Sequence, residues 1–105
     1  MSTKGQKSDA VKYLEAMSGG PLTFARLLES IRLGEGMSQV SFAKKLHISK
    51  AHLCDIEKGR RFVSPERAAK FANILGYSKK RFIKLALQDQ LCRAGLDYIV
   101  DIKAA

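Results

Sequence analysis

The stretch Ser38-Gln39-Val40-Ser41-Phe42-Ala43-Lys44-Lys45-Leu46-His47-Ile48-Ser49-Lys50-Ala51-His52-Leu53-Cys54-Asp55-Ile56-Glu57-Lys58-Gly59 constrains this chain more than any other. Ser38 is placed to cap a short helix with Val40, Ala43 and Leu46 along one face, Phe42 beside them, and an end at His47. Ser49 caps a second helix, which buries Leu53 and Ile56 and stops at Gly59, where a left-handed residue is wanted. Only a tight turn fits between the two. Ala43 is small where the helices cross, and Leu46, Ile48, Leu53 and Ile56 fill the angle between them. His47 stands where glycine would be least strained, but histidine is enriched among the exceptions, so a left-handed His47 is expected.

Similar punctuation brackets this pair. Phe24, Leu27, Leu28 and Ile31 follow the i, i+3, i+4, i+7 spacing of one helix face, ending at Gly34 or Gly36. Ser64-Pro65-Glu66 opens another helix with a hydroxyl at the cap, proline in the first position and an acid near the positive dipole end. Its apolar face is Ala68, Phe71, Ala72 and Leu75, and Gly76 ends it. Ser78 caps a fifth, with Phe82, Leu85, Ala86, Ile83 and Leu87 as inward candidates and an end near Gly95.

The ends differ. Residues 1–20 start polar and lysine-rich; Val11, Tyr13, Leu14 and Met17 then permit a short amphipathic helix from Ser8 to Ser18, broken by Gly19-Gly20-Pro21. Such a helix is marginal alone and orders either on the domain or on a partner. In residues 96–105, Leu96, Tyr98, Val100 and Ile102 alternate with Asp97, Ile99, Asp101 and Lys103, a strand period. A lone strand among helices has no ladder partner, so two copies are expected to pair their tails in a two-fold dimer; the alternative is a loosely packed tail. The division is thus 1–20, a helical domain over 21–95, and a tail over 96–105.

Charge narrows the partner. The 105 residues hold 19 Lys+Arg against 10 Asp+Glu, a net +9, which favours a polyanion, nucleic acid first. The excess is local: six basic against two acidic side chains in 38–63, and seven against two in 64–95. Cys54 and Cys92 have no ligand-like spacing with each other or with histidine, so reduced thiols are expected, with no metal and no cofactor. No stretch reaches the length of a membrane span and no leader-like apolar region opens the chain, so a cytoplasmic protein is expected.

Two short capped helices around a tight turn make a helix-turn-helix. On Ser38-Gln39, Ala43, Ser49 and Glu57-Lys58-Gly59, followed by Ser64-Pro65-Glu66 and Leu75-Gly76-Tyr77-Ser78, the chain resembles the Xre/Cro–repressor family of regulators over about residues 22–87. His47 departs from that family's usual turn glycine. The resemblance implies an all-α, five-helix, lambda-repressor-like DNA-binding domain, to which this chain adds a candidate C-terminal dimerisation strand. It also implies that Glu57 orients a neighbouring loop or arginine.

With the second helix of the motif in the major groove, Ser49, Lys50, Ala51 and Asp55 reach the bases. Lys50 suits guanine, Ala51 a thymine methyl and Asp55 a cytosine amino group, although Asp55 is equally suited to a hydrogen bond within the protein. Gln39, His52, Arg60, Arg61 and Lys44 are the expected phosphate contacts, and Leu96, Tyr98, Val100 and Ile102 the dimer contacts. The function expected is a transcriptional repressor acting as a homodimer on a palindromic double-stranded operator. The alternative, from the resemblance to HigA-type antitoxins, is a protein that also neutralises a toxin through residues 1–20 and represses its own operon. An enzyme is not expected: His47, His52 and Glu57 form no nucleophile or phosphate-loop pattern.

Overall fold

Residues 23–105 are described by the computed structural model; the segment 1–20, with the helix and the toxin contact expected of it, lies outside them. Five helices follow one another: α1 Phe24–Gly34, α2 Gln39–Lys45, α3 Lys50–Glu57, α4 Pro65–Leu75 and α5 Lys79–Arg93. Each begins on a hydroxyl. The side-chain oxygens of Thr23, Ser38, Ser49, Ser64 and Ser78 accept from the amides of Arg26, Ser41, His52, Arg67 and Arg81. A cap of this kind stabilises a helix by about 1 kcal/mol, so the capping residues fix where each short helix starts.

The turn between α2 and α3 closes as expected. His47 sits at φ 61°. Its amide donates to the Lys44 carbonyl, and the Ile48 amide to the Ala43 carbonyl, the paired bonds that end a helix on a left-handed residue. Gly59, at φ 73°, ends α3 in the same way without a side-chain penalty.

Packing is around one core. α4 runs along α5, α2 packs on α3, and α1 bridges α3 and α5. Phe24, Leu28 and Ile31 of α1 meet Phe42, Ala43 and Leu46 of α2, Leu53 and Ile56 of α3, Ala68, Phe71 and Ala72 of α4, and Phe82 and Ala86 of α5, with Val63 from the loop after α3. Phe24 and Phe82 pack edge to face, 5.5 Å between centroids. Ile48, Leu75, Ile83 and Leu85 pack against this core partly buried. Val40 corrects the expected face of α2. It is 53% exposed, whereas Phe42 is fully buried. In a helix of seven residues one bulky ring decides the rotation, and turning Phe42 inward swings Val40 to the outer side.

Among the described residues, 96–105 form no helix and no strand ladder. The tail folds back on α5: Gln88 Nε2 donates to the Tyr98 carbonyl at 2.7 Å, and the Val100 amide donates to Gln88 Oε1 at 2.8 Å. Gln88 thereby satisfies one backbone edge of the tail. Leu96, Tyr98 and Ile99 are exposed, while Val100 and Ile102 are half-buried. Among the described residues no helix is long and apolar enough to cross a membrane.

Candidate nucleic-acid interface

One carboxylate sets the pose of the helix-turn-helix. Arg32, near the end of α1, donates through Nε to Glu57 Oε2 at 2.8 Å and through Nη2 to Oε1 at 3.1 Å. Its Nη1 donates to the Met37 carbonyl in the loop ahead of α2. Gln39 Nε2 joins Glu57 Oε1 at 3.0 Å, and the Cys54 thiol donates to Gln39 Oε1 at 3.1 Å. The Glu57 side chain is only 2% exposed and that of Arg32 11%. Both need these bonds, because a buried charge without a partner is costly. The hydrogen bond to Glu57 raises the basicity of Arg32 against the opposing effect of its burial. Glu57 thus orients an arginine, and through it ties the end of α1, the following loop and the start of α2 to the end of α3.

With Leu53 and Ile56 buried, the opposite face of α3 carries Lys50, Ala51 and Asp55. Lys50 and Ala51 are exposed in the first turn. Ser49 is exposed too, but its oxygen is committed to the His52 amide, so its hydroxyl proton is the part left to donate. Asp55 Oδ1 lies 3.6 Å from Arg60 Nη1, a loose surface pair with half-exposed partners, and such pairs are worth little in water. Four of the residues expected to meet bases therefore come together on one exposed strip, with Asp55 also near an internal partner.

The expected phosphate contacts divide. Lys44, Arg60 and Arg61 are exposed cations flanking α3. Lys45 instead pairs with Glu35 at 3.1 Å. Gln39 is half-buried with its side-chain amide held by Glu57 and Cys54. His52 packs against Arg67, whose Nη1 lies 3.0 Å from the imidazole nitrogens. Burial chiefly, then the nearby Arg61 and Arg67, push the His52 pKa below its ordinary range, so the ring is neutral and accepts from Arg67.

Sequence reasoning missed Arg32, Cys54, Arg67 and Arg93. Arg93, in the last turn of α5, donates to the Gly59 carbonyl and lies over the Phe62 ring, 4.7 Å from its centroid. It holds the loop that carries Arg60 and Arg61. Each of these four acts across a long sequence separation, and no local pattern marks its partner.

A basic strip around an exposed, rigidly seated helix in this architecture defines a class, the helix-turn-helix DNA-binding proteins. The helix-turn-helix family matches residues 28–82, more than half of the chain, and the protein belongs to this Xre/Cro-like family of DNA-binding transcription regulators. No curated protein and no solved structure matches the chain.

Proposed function

We propose that the protein is a repressor that binds a two-fold symmetric operator as a homodimer and blocks transcription by occupying it. The observation that carries this reading is the outer face of α3, where Lys50 and Ala51 stand exposed beside Ser49 and Asp55 on a helix fixed from behind by Glu57. Lys50 donates to guanine O6 and N7, Ala51 packs on a thymine methyl, and Asp55 accepts from cytosine N4 once Arg60 turns to a phosphate. Lys44, Arg60 and Arg61 neutralise the backbone, while Gln39 and His52 hold α2 and Arg67 in place beside it.

One such domain covers one half-site, so a palindrome needs two copies about 34–36 Å apart. The tail supplies the contact. Gln88 fills one backbone edge at Tyr98 and Val100, and the opposite edge pairs with a second copy's tail, bringing Leu96, Tyr98, Val100 and Ile102 of both copies together.

Anisotropy on fragments of the protein's own promoter region tests the assignment. Lys50→Ala should relax base preference at one position by about 1–3 kcal/mol. Arg61→Ala should weaken all sequences alike and reduce the salt slope by about 1. Indistinguishable variants would overturn these roles. A protein ending at Gly95 should sediment as a monomer, and a dimer of undiminished strength would sink the tail contact.

A further inference from the structure

Beside its outer face, α3 presents two flanks. Leu53 and Ile56 point inward, and at about 100° per residue Glu57 and Cys54 fall to one side of that direction and His52 to the other. The first flank meets α1 and α2, through Arg32 and Gln39. The second meets α4. Arg67, in the first turn of α4, brings Nη1 to 3.0 Å from both imidazole nitrogens of His52. A helix lying in the major groove has a phosphate strand on either side, so each flank faces one.

Arg67 has donors to spare on that side. It is half-buried and forms no ion pair among the described residues, and no acid stands between it and Asp89 in the sequence. Its Nη1 is held by the ring. Nε and Nη2 have no partner among the described residues and face water, since the one buried side-chain nitrogen left without a partner there is Nε of Arg26. A guanidinium with one arm fixed and the rest of its fork in water is pre-organised for a phosphate. Glu66 is exposed next to it in the chain, but consecutive residues of a helix do not face each other.

We infer, resting on the DNA-binding reading above, that Arg67 is a phosphate contact on the α4 side of α3 and that His52 is its positioning residue, holding the guanidinium only while the ring is uncharged. The charged groups that face the ring are Arg67 from α4, Arg61 from the loop and Asp55 from its own helix; α1 and α2 reach α3 on the opposite flank. Burial first, then Arg61 and Arg67, hold the ring's pKa below the ordinary 6.5, against the pull of Asp55. A proton turns the acceptor into a second cation at 3.0 Å, and like charges so close repel. Arg67, the longer side chain and the nearer to water, swings away, and the half-buried ring does not replace it at the phosphate. The sign is the reverse of that for a histidine touching DNA itself, whose charged form adds a contact.

Fluorescence anisotropy of the full chain on a duplex of about 20 base pairs of arbitrary sequence, at salt from about 50 to 200 mM, counts phosphate contacts at about 0.9 of log–log slope each. At about pH 8, Arg67→Gln should flatten the slope by about 0.9. Lowering the pH to about 5.5 should flatten the parent's slope by the same amount and remove nothing further from Arg67→Gln. His52→Ala, shown folded by circular dichroism at both pH values, should behave as Arg67→Gln does. His52→Gln, whose amide oxygen accepts in place of the ring, should recover part of the slope and keep it in acid. His47, the other histidine, is present in every variant, so only the pH response that Arg67→Gln and His52→Ala lose belongs to the pair. In the protein without DNA, NMR of the ring protons should show His52 titrating at higher pH in Arg67→Gln than in the parent. A parent slope that steepens in acid, a slope that Arg67→Gln leaves unchanged, or an unmoved ring titration would overturn the inference. A parent that binds no DNA at any of these salt concentrations refutes the repressor reading instead, and the ring titration then still decides whether the two side chains are coupled.

Discussion

Replacing Arg32 by methionine removes one half of the pair that seats α3. Met covers much of the same apolar path but offers nothing to Glu57, whose side chain is 2% exposed and cannot turn to water. Breaking a buried pair from one side costs about 3–5 kcal/mol, and the orphaned Met37 carbonyl adds about 1, against which the surviving bond from Gln39 gives partial relief. A loss of about 3–5 kcal/mol is therefore expected. Domains of this size have total stabilities on the order of 4–12 kcal/mol, so Arg32→Met should shift the urea midpoint far toward zero. Glu57→Met should cost less, about 2 kcal/mol, because the guanidinium it orphans is 11% exposed and can reach solvent. The double variant Arg32→Met/Glu57→Met leaves no charge behind and should recover at least about 2 kcal/mol relative to Arg32→Met alone, since apolar replacement of a whole buried pair is often near neutral. Urea unfolding followed by far-ultraviolet circular dichroism measures all three. If Arg32→Met lies within about 1 kcal/mol of the parent, or the two single effects simply add, the pair does not seat α3 in the way argued.

Three further outcomes follow from single residues. His47→Gly should stabilise the fold by about 0.5–1 kcal/mol, because it relieves a non-glycine residue at φ 61° by more than it adds in unfolded-chain entropy; a loss in thermal denaturation would contradict this. Asp89→Asn should raise the melting temperature at pH 7: burial pushes the Asp89 pKa above its ordinary 3.8, so the charged form is held at a cost, while the amide oxygen of asparagine still accepts from Phe24. Since a raised carboxyl pKa contributes stability at low pH that is lost as pH rises through it, the advantage of asparagine should vanish below about pH 3.8. His52 has the opposite sign: with its pKa held below 6.5 in the fold, the unfolded chain binds the proton more readily, so stability falls as pH drops from about 6.5 through the folded value. His52→Gln should remove that component from melting curves taken across this interval.

Local chemistry made most of the architecture legible. Ser38, Ser49, Ser64 and Ser78 cap within three residues of themselves, and His47 and Gly59 act on their own backbone angles, so neighbours in sequence suffice. Val40 was misplaced because three apolar positions in a seven-residue helix admit more than one rotation, and the choice belongs to Phe42 and its surroundings. At the site, the outer face of α3 follows from the spacing of Leu53 and Ile56 alone. The interior could not be read this way. The resemblance gave Glu57 a loop or an arginine to orient but not which one: Arg32 lies 25 positions away, and Gln39, expected at a phosphate, turns its amide onto the carboxylate of this pair. Which of several cations reaches Glu57 is decided by distance after folding.

The second half of α5 shows how a chain with so little packed behind α3 still holds that helix in place. Within two turns, Gln88 holds the tail, Asp89 holds the first amide of α1, and Arg93 holds the Gly59 carbonyl and the Phe62 ring of the loop after α3. These three segments are the ones a short helical domain would otherwise leave loose, being a terminus, a helix start and an exposed loop. Anchoring them on one helix ties both the tail and the loop of Arg60 and Arg61 to α5. In the proposed dimer, the connection from the tails to each α3 then runs through α5 and the loop. Half-site spacing would be set by that path, so weakening it at Arg93 should broaden the tolerated spacing, whereas weakening Lys50 should broaden only the tolerated bases. Affinity measured on operators with one base pair inserted or removed at the centre separates the two: Arg93→Ala should lessen the penalty for altered spacing, and an unchanged penalty would show that the tail and the loop are positioned independently.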